Sequence, residues 1–371
     1  MKQTMTFIVL SIFFVFGWGT TSIFAQTYGE RNAILLEEFI YESAPFPSCH
    51  AVSLVETSDG TLMAAWFGGY HENHKRVGIW TSQKRDGRWT PPVEAANGLQ
   101  ENGDYLATWN PVLFQPKDGP LMLFFKVGPS PDTWWGEMMV STDNGSTWTD
   151  HKKLPDNGIG PVRCKPLEMA DGRILCPSSD EAGGNWVSHL EITDKNGESW
   201  QRTVPLHSKE EAQTIQPTLL PFEDGRMLML CRDKNGNGKI WQCWSNDSGK
   251  AWGRFSATEL PNPNAGIDAV ALKDGRFLLI YNHTVRTPEN PDDPPGRSMI
   301  NLALTEDGKS WKAVCIFENY GKGEFSYPAI IQTNDGLVHI AYTWQRQKMK
   351  HIVLDPAKIK GIPMTNGTWP R

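Results

Sequence analysis

An Asp-Gly pair followed by an apolar run recurs six times along the 371 residues, at intervals of about fifty to sixty residues. The copies are SDGTLMAAWF at Asp59, KDGPLMLFFK at Asp118, ADGRILCPSS at Asp171, EDGRMLMLCR at Asp224, KDGRFLLIYN at Asp274 and NDGLVHIAYT at Asp335. Each is preceded by a short apolar run, so each reads as a β-hairpin turning at Asp-Gly. A superperiod of this length marks a repeat architecture, which a sandwich or an α/β fold does not show.

A second element ends in tryptophan and falls between these hairpins. Its clearest copies are STDNGSTW (Ser141 to Trp148) and SNDSGKAW (Ser245 to Trp252). Weaker copies end at Trp200 and Trp311, and a remnant, RDGRW, ends at Trp89. Aspartate and glycine shape the turn and tryptophan pins it to the core, so this element is scaffolding. Six units of about four short strands, with hardly any helical periodicity, predict an all-β fold, a six-bladed β-propeller. The last blade has to close the ring. Its strands include YPAIIQ, LVHIAYTW and KHIVLD, and AILLEEFIYE, near the start of the mature chain, is expected to supply its outer strand and remove the open edge.

The first residues carry Lys2, an apolar run from Phe7 to about Phe16 and a small-residue exit at Ala25. That pattern predicts a signal peptide over residues 1–25, a mature propeller over 26–371, and a secreted or periplasmic protein with no membrane anchor after cleavage. The six cysteines form no dense framework and no CxxC pair, so packed free thiols are expected. The close histidine pair of HENH (residues 71 to 74) reads as a polar loop, and neither a metal nor another cofactor is implied. A net charge of −6 gives no basic footprint for nucleic acid.

In a propeller the innermost strands run the same way, so the residues that begin them converge on one mouth of the central channel. Counting back from each Asp-Gly gives His50, Asn110, Lys165, Gln216, Asp268 and Tyr327, each directly before Ala or Pro. Eight residues past each turn aspartate, where the second strands return to the same mouth, stand Phe67, Lys126, Ser179, Arg232, Asn282 and Thr343. Eleven of these twelve positions are polar or charged at the ends of apolar strands, the pattern of a polar site on an apolar scaffold. Lys126, Arg163, Lys165, Arg232 and Arg297 concentrate positive charge there in an acidic protein, which points to an anionic ligand, most simply a carboxylate.

Over nearly the whole mature chain these motifs resemble the sialidase superfamily, in the branch with BNR repeats or Asp boxes. The resemblance implies a tyrosine nucleophile on the last blade, a glutamate that activates it, three arginines that grip a substrate carboxylate, and an aspartate acid/base on a first-blade loop. Tyr327 matches the tyrosine, Arg232 the second arginine and Arg297 the third. A neutral nucleophile suits a ketosidic centre beside a carboxylate, because a second carboxylate would be repelled. Three positions depart from the pattern. Ser48 stands where the first arginine is expected, Gln216 where the glutamate is expected, and the loop GGYHENHKRVGIW has no aspartate, leaving Glu72, His71 or His74. Glu324, Asp268, Glu181 and His50 are the replacement proton-transfer groups within reach of the mouth, with Glu324 foremost as the partner of Tyr327.

The function expected on this basis is an exo-glycosidase that removes a terminal acidic sugar, sialic acid or a related keto- or uronic acid, from a glycan. Arg232 and Arg297 would bind the carboxylate, Tyr327 would act as nucleophile with Glu324 or Asp268 as its base, and the Glu72 loop would supply the acid. Lys165, Arg163, Gln216, Asn110 and Lys126 complete the expected binding surface. Two alternatives remain open: a hydrolase or lyase on rhamnosyl-uronate glycans that uses His50, and a non-catalytic glycan-binding propeller. Trp109, Trp134, Trp135 and Trp344 would serve as sugar platforms in any of these readings.

Overall fold

The computed structural model describes residues 31–155, 158–234, 238–286 and 296–370. The expected signal peptide lies outside them. Six antiparallel sheets follow one another along the chain, four of them four-stranded and two five-stranded, and form the blades of a propeller. The innermost strands are Ser48–Glu56, Thr108–Phe114, Leu167–Glu168, Thr214–Pro221, Asp268–Ala271 and Phe325–Gln332. Apart from short 3-10 turns, the described residues form strands and loops.

All six Asp-Gly turns join the first and second strands of a blade, as the repeat predicts. In five of them glycine has a φ between +83° and +87°, a conformation that a Cβ would strain. Gly119 is the exception, and it precedes Pro120, which restricts the residue before it to extended backbone. The tryptophan turns sit between third and fourth strands and are held by their own aspartates. Asp143, for example, accepts the Thr147 amide at 2.8 Å and the Ser141 hydroxyl at 2.7 Å.

The core is six wedges, one between each pair of neighbouring blades, and Trp66, Phe124, Phe125 and Trp311 are fully buried in or beside them. The six cysteines are free thiols packed in this interior. Closure follows the expectation: Ile34–Phe39 pairs antiparallel with Lys348–Leu354 as the outer strand of blade 6. Near the other terminus, Ile362–Pro363 adds to the edge of blade 5.

Glu38 latches the closing strand. Its Oε1 accepts from Lys84 Nζ at 2.5 Å, Trp89 Nε1 at 2.9 Å and His351 Nδ1 at 2.9 Å, and His351 Nε2 then meets His339 Nδ1 at 3.0 Å. Burial pushes His339 down to about 4 and His351 below its ordinary value, so both are neutral at pH 7. The unfolded chain therefore protonates first on acidification. Stability is complete above the unfolded histidine value of 6.5 and is lost as the pH falls toward 4, by about 3 kcal/mol for His339. Urea melts at pH 7 and pH 4.5 should show this loss, and His339→Phe should reduce it.

Candidate active site

The mouth is built from bulges. In four blades the inner strand breaks register between residues 50 and 53, 109 and 112, 215 and 218, and 326 and 329. Ala51, Asn110, Gln216 and Tyr327 occupy these bulges with φ of +59°, +39°, +55° and +51°, and Arg163 takes the corresponding place ahead of blade 3 at +74°. Each stands eight residues before its turn aspartate, and Gly266 holds the sixth place. A positive φ is a steric outlier for a bulky side chain, costs about 1–3 kcal/mol and collects at functional sites. Bulges re-aim side chains, and here they turn Tyr327 toward the channel.

This corrects the counting made from sequence. His50, Lys165 and Asp268 are not equivalent to Tyr327, because their spacing to the turn differs by one or two residues. Lys165 and Asp268 instead pair with each other at 3.0 Å. Asp268 also accepts from Thr218 Oγ1 at 2.9 Å, the Ala269 amide at 2.9 Å and the Ile330 amide at 3.0 Å, which ties blades 4, 5 and 6 together. A buried carboxylate so fully hydrogen-bonded is a structural joint, and it is not placed to serve as base for Tyr327.

Three guanidiniums surround the Tyr327 ring: Arg163 and Arg297 at 5.6 Å and Arg232 at 5.7 Å from its centroid. Arg232 Nη1 donates to Tyr327 Oη at 2.6 Å and to Gln216 Oε1 at 3.1 Å, while its Nε donates to Asn264 Oδ1 at 2.8 Å. Arg163 lies beneath the tyrosine and donates to the carbonyls of Ile267 and Pro328, the second at 2.6 Å, so it fixes the backbone that carries Tyr327. His50 packs against Tyr327 with ring centroids 4.0 Å apart. Neither ring nitrogen of His50 finds a partner among the described residues; burial first, then Arg346, Arg297, Arg163 and Arg232, push its pKa far down and hold it neutral.

Glu324 does not touch Tyr327. Its Oε1 accepts from Arg297 Nη1 at 3.0 Å and Ser326 Oγ at 2.7 Å, and its Oε2 accepts from Arg346 Nε at 2.8 Å. Burial alone would raise its pKa, but Arg346 and Arg297 outweigh it and hold the group at about 2. Such a carboxylate orients arginines and is a poor base at neutral pH. Arg346 also donates to Glu72 Oε2 at 2.6 Å, and its carbonyl accepts the Cys49 amide at 2.8 Å. A guanidinium from blade 6 is thus anchored beside Ser48, where the resemblance leads one to expect an arginine of blade 1. The sequence reading missed Arg346. Its signal is the turn itself: Gln345 and Arg346 both have positive φ, at a place where Asn-Gly is the usual choice.

Lys126 is fully buried and donates to the Pro161 carbonyl at 2.7 Å, so it braces a loop and is not part of an open binding surface. Burial pushes it down to about 7. Asn110 lies buried at the blade 2 bulge. Trp109 and Trp134 pack edge-on at 6.0 Å and are buried, Trp344 packs edge-on to Phe39 at 5.3 Å, and Trp135 bonds Glu137 at 2.8 Å. These four are packing groups. The tryptophan that faces the site is Trp186, with Arg232 at 5.1 Å and Lys234 at 5.5 Å from its ring. It lies outside every repeat element, which was the one sequence signal for it.

The chain belongs to the BNR repeat-like domain family, whose model matches residues 60–340. It is a sialidase-like BNR-repeat protein. It is 26% identical to a sialidase of Paraclostridium sordellii over 173 residues, 38% of this chain and 42% of that one, so the match spans less than half of that relative. The fold is similar to the intramolecular trans-sialidase of Ruminococcus gnavus (TM-score 0.67, 15% identity, 89% of this chain and 99% of that one). It is also similar to the α-L-arabinanase of Penicillium chrysogenum (TM-score 0.64, 15% identity, 88% and 99%).

Proposed function

We propose that this protein is an exo-acting glycoside hydrolase that releases a terminal acidic sugar from a glycan. The observation that carries the reading is Tyr327, held at a strained bulge, its hydroxyl 2.6 Å from Arg232 and its ring encircled by guanidiniums. Arg232 and Arg297 take the sugar carboxylate, and Arg346 acts through Glu324 to aim Arg297. Tyr327 Oη attacks the anomeric carbon, and the guanidinium beside it compensates negative charge developing on the oxygen. Among the described residues no carboxylate bonds to Tyr327, and Gln216 cannot take a proton. His50 packs against the tyrosine ring, but its nitrogens do not bond the hydroxyl and burial with the surrounding guanidiniums keeps it neutral, so the phenol proton passes to water. The relatives named sialidase, trans-sialidase and arabinanase are consistent with a glycan substrate. The signal-peptide pattern of residues 1–25 fits a secreted or periplasmic site of action.

A panel of acidic aryl glycosides assayed with the protein and with Tyr327→Phe tests the reading. Turnover of a sialoside or related keto-acid glycoside that is lost in Tyr327→Phe supports it. The orphaned nitrogens of His50 favour one second reading, acid/base cleavage of a rhamnosyl-uronate by His50 alone. Turnover that survives Tyr327→Phe and disappears in His50→Gln would establish that reading, and binding without turnover of any substrate would make the protein a lectin-like propeller.

A further inference from the structure

Glycoside cleavage at Tyr327 leaves one requirement unmet, a proton for the departing oxygen. The resemblance looks for that donor on the blade 1 loop, but the carboxylate there, Glu72, is ion-paired with Arg346. Another carboxyl stands at the rim on blade 3. Ile174–Asp180 is the second strand of blade 3, and it delivers Glu181 to the rim. Glu181 occupies the N-cap position of the turn Ala182–Gly184, yet its side chain makes no capping bond, and no hydrogen bond to its carboxyl is found among the described residues.

The loop that carries this carboxyl lies against the site. Arg232, which touches Tyr327, and Lys234 act on it electrostatically, as does Glu72. Trp186, five residues further along the same loop, lies 5.1 Å from the Arg232 guanidinium. The Lys234 ammonium donates to the Gly184 carbonyl, and the Gly184 amide reaches Asp132 at 3.3 Å, so the loop is pinned at its far end. Burial, the largest influence, and Glu72 push the carboxyl up, Arg232 and Lys234 pull it down, and the balance stands at about 7. A group poised there can both give and take a proton at neutral pH.

We propose that Glu181 is the acid/base of this site, so that proton transfer comes from blade 3 and not from blade 1. This rests on the glycosidase reading above. In the first step Tyr327 Oη bonds to the anomeric carbon, the glycosidic C–O bond breaks, the phenol proton passes to water, and the Glu181 proton goes to the departing oxygen. In the second step the Glu181 carboxylate takes a proton from water as the water oxygen bonds to the anomeric carbon. As that bond forms the bond to Tyr327 breaks, and the phenolate takes its proton back from water.

The test compares leaving groups. Glu181→Gln should lower kcat by about 10²–10⁴-fold on an aryl glycoside with a poor, phenol-like leaving group. On a dinitrophenyl glycoside, whose leaving group needs no proton, the loss in the first step should be less than about tenfold. The wild-type rate should fall as the pH rises through about 7, as Glu181 loses its proton, and that limb should vanish in Glu181→Gln and persist in Glu181→Asp. Equal losses on both substrates, or a leaving-group dependence that appears in Glu72→Gln instead, would overturn the assignment while leaving the Tyr327 reading intact. A wild-type protein that turns over no acidic aryl glycoside would overturn both.

Discussion

Tyr327→Phe is expected to lower kcat on an acidic aryl glycoside by about 10³-fold or more, equivalent to about 4 kcal/mol of barrier. The change deletes one oxygen and keeps the ring, so the packing against His50 and the three surrounding guanidiniums survives. Stability should change little, since the lost hydroxyl bonds only to Arg232 among the described residues. KM should stay within a few fold, because the carboxylate contacts assigned to Arg232 and Arg297 remain. A loss in kcat without a loss in binding separates a nucleophile from a binding group.

Arg232→Met should act on the other term. It removes the charge-assisted bonds to a substrate carboxylate, each about 1.5–3 kcal/mol, and should raise KM about 10–100-fold. It also removes the partner of Tyr327 Oη, of Gln216 and of Asn264, so kcat falls as well. Methionine keeps an unbranched apolar stem at this position, while the guanidinium over the Trp186 ring is lost. An acidic aryl glycoside whose KM is unchanged in Arg232→Met would contradict the role given to this arginine.

The architecture was legible because its determinants are local. Asp-Gly turns, the tryptophan turns and the apolar run Ile34–Phe39 each announce a strand or a turn within about ten residues. Tyr327 was picked out by its place directly before Pro328 at the start of the last inner strand, and by the resemblance. The proton-transfer groups were not, because their character depends on partners distant in sequence. Glu324 stands three residues before Tyr327, just ahead of the strand, and only the fold shows Arg297 and Arg346 closing on its carboxylate. Asp268 is emptied of chemistry by Lys165, Thr218 and Ile330, which come from other blades. Glu181 has the opposite history, since partial burial with no hydrogen-bonded partner among the described residues is invisible in the string PSSDE. Bulges explain the remaining error: one inserted residue shifts which side chain points into the channel, and hairpin spacing does not reveal it until the positive φ values are seen.

The central claim is that Tyr327 forms a covalent bond to the sugar. The direct measurement is peptide mass spectrometry after incubation with an acidic glycosyl fluoride that carries a second fluorine beside the anomeric carbon, which slows release of the glycosyl-enzyme. The account predicts one added sugar per chain, on the peptide containing Tyr327, and none in Tyr327→Phe. A sugar attached instead to a carboxylate such as Glu181 or Glu72, or turnover of the fluoride with no adduct at any time, would contradict it.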